Sequence, residues 1–140
     1  MLSQRLEELL ITTQGRGFYE FTDRVAAIVR KAELDRGLVT VLLRHTSASL
    51  LIQENADLEV RRDLERFFAR LVPDGDPLFQ HNAEGDDDMP AHVRTALTTV
   101  NLSLPFSGGE LSLGMWQGIY LWEHRTESHK RRMVVHLLGE

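Results

Sequence analysis

A compact single α+β domain spanning residues 1–140, with a mostly antiparallel sheet and three helices, is the fold class this sequence predicts. Three observations lead to it. Strand-like runs dominate both ends of the chain, helical periodicity is inserted between them, and no regular βαβ alternation joins the two. The length of 140 residues suits one domain with its own core. A content of 42% apolar and 26% charged residues is the balance of a folding chain.

Residues 6–13 and 17–22 are runs rich in Leu, Ile, Thr, Phe and Tyr, separated by Gly15-Arg16-Gly17, and they read as a β-hairpin. Thr22 is placed to cap a helix in which Val25, Ile28, Val29 and Ala32 recur at helical spacing, with Gly37 ending the segment. From Leu38 the pattern becomes a strand. Val39, Val41, Leu43 and His45 share one face, and Leu38, Thr40, Leu42 and Arg44 the other. Both faces are largely apolar, which predicts a central strand with His45 at the end of a buried row. Residues 56–72 form the clearest helix, with Val60, Leu64, Phe67, Phe68 and Leu71 on one stripe and Pro73 as its stop. Asn55 is placed to cap it and Asp57 to complement its dipole. Between Pro73 and Pro90 there is no period, so the segment reads as a long loop of the kind that carries function or is disordered. A short helix starts at Pro90, with Val93, Ala96 and Leu97 facing inward. Strands at 100–106, 111–113, 118–124 and 132–138 complete the chain, the first two joined by a turn at Ser107-Gly108-Gly109.

Composition excludes several classes. The net charge of -5 argues against a nucleic-acid-binding protein, which needs a basic surface to neutralise phosphates. With no cysteine there is no disulfide, thiolate nucleophile or sulfur-ligated metal, so any metal must be held by His, Asp, Glu or carbonyl oxygen. No segment approaches the roughly 18 apolar residues of a membrane span, and Met1–Thr13 has no uninterrupted apolar stretch. The expectation is a cytoplasmic protein without a membrane partner.

Polar residues concentrate at three element boundaries: His45-Thr46-Ser47, Gln53 to Asp57, and His81 to His92. His45 reads either as a strand-end histidine bonded to backbone or as a metal ligand. The spacing of His81 and His92 matches no named metal motif, and the acidic run between them also reads as a solvated loop. Glu123 shares a strand face with Ile119 and Leu121, where an unpaired carboxylate is costly, so it pairs with an arginine or lines a pocket. Within Gly114-Met115-Trp116-Gln117-Gly118, packing accounts for Trp116 but not for Gln117. There is no phosphate-binding glycine loop, dinucleotide fingerprint or nucleophile elbow.

Taken together, HTSASLLIQENAD, VRRDLERFFARLVPDGDP, HNAEGDDDMPAHVRTAL and GELSLGMWQGIYLWEHR resemble the YjbQ-like family, from about Val39 onward. The resemblance implies a compact α+β fold and a homotrimer, with the family's histidines falling on His45, His81 and His92. Three imidazoles suit a zinc-like divalent metal, with magnesium the alternative where a diphosphate substrate is bound. Other members carry a further histidine where this chain has Met89-Pro90, so no fourth ligand is expected. The resemblance also implies thiamine-phosphate synthase activity, coupling hydroxymethylpyrimidine diphosphate with thiazole phosphate and releasing pyrophosphate. On that reading Asp86, Asp87 or Glu123 helps hold a metal–diphosphate, and Arg125, Arg131 or Arg132 neutralises the leaving group. Glu54 and Asn55 are candidate substrate contacts and Gln117 a further candidate catalytic residue. A second reading is a three-histidine metal-dependent hydrolase with Glu123 or Glu54 as general base. A third is a non-catalytic metal- or ligand-binding trimeric module. His124, His129 and His136 are expected to have ordinary surface or packing roles.

Overall fold

The computed structural model describes residues 1–140. The elements in chain order are β1 (Ser3–Thr12), β2 (Gly17–Glu20), α1 (Thr22–Lys31), β3 (Arg36–Leu43), β4 (Ala48–Glu54), α2 (Leu58–Leu71), α3 (Asp88–Leu97), β5 (Asn101–Ser107), β6 (Glu110–Leu111), β7 (Gln117–Glu123) and β8 (Lys130–Gly139). The strands form two antiparallel sheets, a larger one in the order β1-β8-β3-β5-β6 and a smaller one in the order β2-β7-β4. No helix is long and apolar enough to cross a membrane.

The core lies between the sheets. Val39, Val41 and Leu43 of β3 face inward with Met133, Val135 and Leu137 of β8 and Leu104 and Phe106 of β5, meeting Leu50, Ile119 and Leu121 of the smaller sheet. Val25, Ile28 and Val29 of α1 close this core, and each such buried aliphatic side chain contributes on the order of 1.5–3 kcal/mol. The opposite face of the smaller sheet is covered by α2 and α3. Phe68 of α2 packs edge-on against Trp122 of β7 at 4.8 Å, and Thr95 of α3 donates from Oγ1 to the Ala48 carbonyl of β4. The outer face of the larger sheet is bare, leaving Leu6, Leu38, Leu42 and Leu138 exposed.

The expected central strand is present as β3, flanked by β8 and β5. The expected hairpin of the first two strands is not: β1 pairs with β8 and β2 with β7. The ten-residue β1 finds a ten-residue partner in β8, against four residues in β2. Gly15 makes the change of sheet feasible, with φ of +105° and a position where a Cβ would lie 2.7 Å from the Thr126 carbonyl oxygen. Thr22 does not cap α1; its hydroxyl donates to Glu20 and accepts from the Ile119 N–H. Gly37 does not end α1 but lies inside β3, where close approach of the neighbouring strand requires glycine: a Cβ there would sit 2.1 Å from the Leu138 carbonyl oxygen. The cap of α2 is Asp57, which accepts from the Glu59 N–H, and not Asn55. Although α2 forms, none of its residues is fully buried, and Phe67 and Leu71 of its apolar stripe stay exposed.

Candidate metal centre

The segment after α2 leads to α3, which begins at Asp88 and not at Pro90 as the proline suggests. That difference of two residues puts Asp88 and His92 one helical turn apart on the same face. His81, from the preceding loop, comes against both. Its Nε2 lies 2.6 Å from Asp88 Oδ2, and His92 Nε2 lies 3.4 Å from the same oxygen. The donor atoms of His81, Asp88 and His92 are all within 4.8 Å of one another.

The supports of these side chains are specific. His92 Nδ1 donates to the Thr46 carbonyl at 2.9 Å, which orients the ring with Nε2 toward Asp88 and makes Nε2 the nitrogen available to coordinate. Asp88 is buried and its Oδ1 accepts from Arg125 Nη1 at 2.9 Å. Arg125 also holds Asp87 Oδ2 through Nε at 2.8 Å and the Glu84 carbonyl through Nη2 at 2.8 Å. Burial works to raise the Asp88 carboxyl, but the hydrogen bonds with His81 and Glu84 and the charges of Arg125 and His92 outweigh it and hold the group below the usual carboxylate range. At Asp87 burial is likewise outweighed, by the Thr126 N–H and by Arg125. Two imidazoles and one ionised carboxylate, backed by outer-shell bonds, form a donor set that fits a zinc-like ion. The side chains of His81 and His92 are 49% and 31% exposed, and His81 lines a cleft of about 300 Å³ with Phe79, Asn82, Asp86 and Met89.

Comparison with known proteins identifies the family. The family model described as "UPF0047 protein YjbQ-like" matches residues 7–140. This chain belongs to the YjbQ-like UPF0047 family. A UPF0047 protein of Synechocystis sp. is 50% identical, over 98% of this chain and 93% of that relative. The UPF0047 protein YjbQ of Escherichia coli O157:H7 is 43% identical, over 94% of this chain and 96% of its own length. Among solved structures, a conserved hypothetical protein of Thermus thermophilus superposes with a TM-score of 0.84 at 34% identity, covering 94% of this chain and 98% of its own.

In this YjbQ-like chain the residues expected from sequence divide into two groups. His81 and His92 lie side by side, the third donor brought to them is Asp88, and His45 is not in that group. His45 continues the inward row of β3 and its Nε2 accepts from the Arg132 N–H, so the backbone-bonded reading describes it. Burial and the nearby Arg131 push its pKa below the ordinary value, in keeping with a neutral acceptor. Asp86 lines the cleft and Asp87 supports Arg125.

The remaining candidates have structural duties. Glu123 is fully buried and ion-paired with Arg131, which removes it as a general base or a holder of diphosphate, and removes Arg131 as a surface anion binder. Gln117 accepts the Gly114 N–H at 2.7 Å, closing the turn before β7 and supplying the reason that packing did not. Glu54 accepts the Asp57 N–H at 3.0 Å on the way into α2. The Asn55 N–H donates to the Trp116 carbonyl, joining the same turn to the smaller sheet. Of the other histidines, His124 packs in the interior on Ser49 at 2.8 Å, and His136 contacts Gln4 at the surface. Asp88 escaped sequence reasoning because the helix start was set at Pro90; its four-residue spacing from His92 was the available signal.

Proposed function

We propose that this chain is a divalent-metal-dependent hydrolase acting on a small molecule, with His81, Asp88 and His92 as the metal donors. The observation that carries this reading is the convergence of those three donors with the His92 tautomer fixed by the Thr46 carbonyl. A zinc-like ion held by these donors would supply Lewis acidity and lower the pKa of a bound water. The 2.6 Å contact between His81 Nε2 and Asp88 Oδ2 is the one that would give way to a bound ion, both atoms then serving as donors. Glu84 is the best-placed proton acceptor: its Oε2 lies 3.6 Å from His81 Nε2, on a solvent-exposed side chain. The adjoining cleft supplies room for substrate, and the exposure of both histidines favours ligand access over a closed structural site.

Thiamine-phosphate synthase activity on phosphorylated precursors is the second reading, and it has weaker support. Of the three cations that would neutralise pyrophosphate, Arg125 and Arg131 are already committed to Asp87, Asp88 and Glu123, which leaves the exposed Arg132. The cleft itself presents Asp76 and Asp86 and no lysine or arginine, which suits a diphosphate only with magnesium between the charges.

Untagged protein is expected to bind zinc at one ion per chain, and the zinc-loaded form to turn over members of an ester, amide and phosphoester panel. Glu84→Gln should keep the zinc and lower turnover by about 10²–10⁴-fold, the usual contribution of a general base. Absence of zinc binding by calorimetry overturns the reading.

The assembly proposed is a homotrimer that covers the exposed Leu6, Leu38, Leu42 and Leu138 of the larger sheet. Light scattering should give about three times the chain mass of 16.0 kDa. A monomeric mass at micromolar concentration removes this proposal.

A further inference from the structure

We infer that the buried Glu123–Arg131 ion pair is the positioning device of the His81–Asp88–His92 cluster, anchoring both of the hydrogen bonds that orient its ligands; this rests on the metal-binding reading of the site. Neither residue touches the cluster. Arg131 donates from Nε to Glu123 Oε1 at 2.9 Å and from Nη2 to Glu123 Oε2, and both side chains are essentially without solvent contact.

Besides a hydrogen bond from the buried Thr13 Oγ1 to Glu123 Oε1 at 2.8 Å, two branches run from this pair toward the cluster. On one, Arg131 Nη2 donates to Ser47 Oγ at 3.0 Å and to the Ser47 carbonyl at 3.2 Å. Ser47 follows Thr46 directly, and the Thr46 carbonyl is the acceptor that fixes the His92 tautomer. On the other branch, Glu123 Oε2 accepts the Arg125 N–H at 3.2 Å. The guanidinium of that same Arg125 holds Asp88 Oδ1. One ion pair at the end of the two-sheet core thus fixes the backbone at Thr46-Ser47 and at Arg125, the two places from which the metal donors are supported.

A buried ion pair is a poor source of net stability, because desolvation of both charges offsets their attraction, and apolar replacements of similar volume fold as well or better. What apolar replacements cannot supply is the set of directed bonds, one from Thr13 and those to Ser47 and Arg125 that lead to the cluster. The cost of burying the pair is therefore matched to orientation of the site and not to holding the fold together.

The test compares wild type, the double variant Glu123→Leu/Arg131→Met, and Arg131→Lys, each titrated with zinc alone and each examined zinc-free by ¹⁵N NMR of the His92 ring. The double variant should bind zinc roughly 10- to 100-fold more weakly, the range seen when outer-shell partners of ligands are lost. Its urea midpoint should stay near that of wild type, and its zinc-free His92 ring should no longer hold a single tautomer. Arg131→Lys keeps the charge but not the forked contact, and should fall between the two; it carries the test if the double variant does not fold. Wild-type zinc affinity in the double variant, or in Arg131→Lys, overturns the proposal. If wild type binds no zinc, it is the metal reading that fails, and an unchanged His92 tautomer in the variants then overturns the positioning role on its own.

Discussion

Replacing Asp88 by alanine should weaken zinc binding by more than the roughly 100-fold that loss of an outer-shell partner brings, because it removes a ligand outright. The expected loss is large for a second reason: Asp88 Oδ2 is the atom against which both imidazoles converge, at 2.6 and 3.4 Å. Its removal also frees Arg125 Nη1 and unbalances the support of the neighbouring loop. His81→Ala and His92→Ala should have losses of similar size, whereas His45→Ala should leave zinc affinity near the wild-type value. This last comparison discriminates sharply. If His45→Ala abolishes binding and Asp88→Ala does not, the three-histidine set implied by family resemblance replaces the one drawn from the geometry.

The second large effect is loss of stability in mild acid, centred on His124. Burial, reinforced by the charges of Arg94, Arg16 and Arg131, lowers the pKa of this histidine from 6.5 to about 3. Its Nε2 is satisfied by Ser49 while Nδ1 is buried without a partner, so the folded chain has no means of accommodating the imidazolium. Between pH 6.5 and about 3 the unfolded chain therefore takes up a proton that the folded chain refuses. Stability is complete above 6.5 and falls below it, at a slope approaching about 1.4 kcal/mol per pH unit. Urea denaturation should thus give a free energy about 2 kcal/mol lower at pH 5 than at pH 7. In His124→Gln, which keeps a polar partner for Ser49 but does not titrate, most of that difference should vanish. Equal pH dependence in the two proteins would falsify the assignment. Asp87 and Asp88 act lower on the scale, their depressed carboxyl pKa values adding a further loss as pH falls through and below 3.8.

The sequence made some of this architecture legible and concealed the rest for identifiable reasons. Helical spacing in α1 and α2 and alternation in β3, β5, β7 and β8 are local signals, and each element formed near its expected place. Strand pairing is not local, so the partners of β1 and β2 could not be read from the glycines between them. Strand β4 went unseen because Leu50, Leu51 and Ile52 are embedded in a polar sequence whose Ser49 is fully buried against His124 and not exposed to solvent. At the site, the histidines of the long segment drew attention by residue type, but aspartates are common in loops, and only the helix start singled out Asp88 from Asp86 and Asp87. Glu123 was correctly marked as a carboxylate in need of a partner; that the partner is Arg131, and that the pair is sealed from solvent, depends on two sheets closing on each other.

The order of strands in the larger sheet carries a consequence for how the molecule comes into being. Strand β8, last along the chain, lies between β1 and β3, the first strand and one from the first third. Until residues 130–139 emerge from the ribosome, both neighbours present unpaired edges, and the inward row of Val39, Val41 and Leu43 lacks its nearest cover. The nascent protein therefore passes through a stage that is rich in open strand edges, the period in which association with other unfinished chains competes with folding. Closure then joins segments more than 100 residues apart, a topology that sets folding on the millisecond-to-second scale rather than the microsecond one.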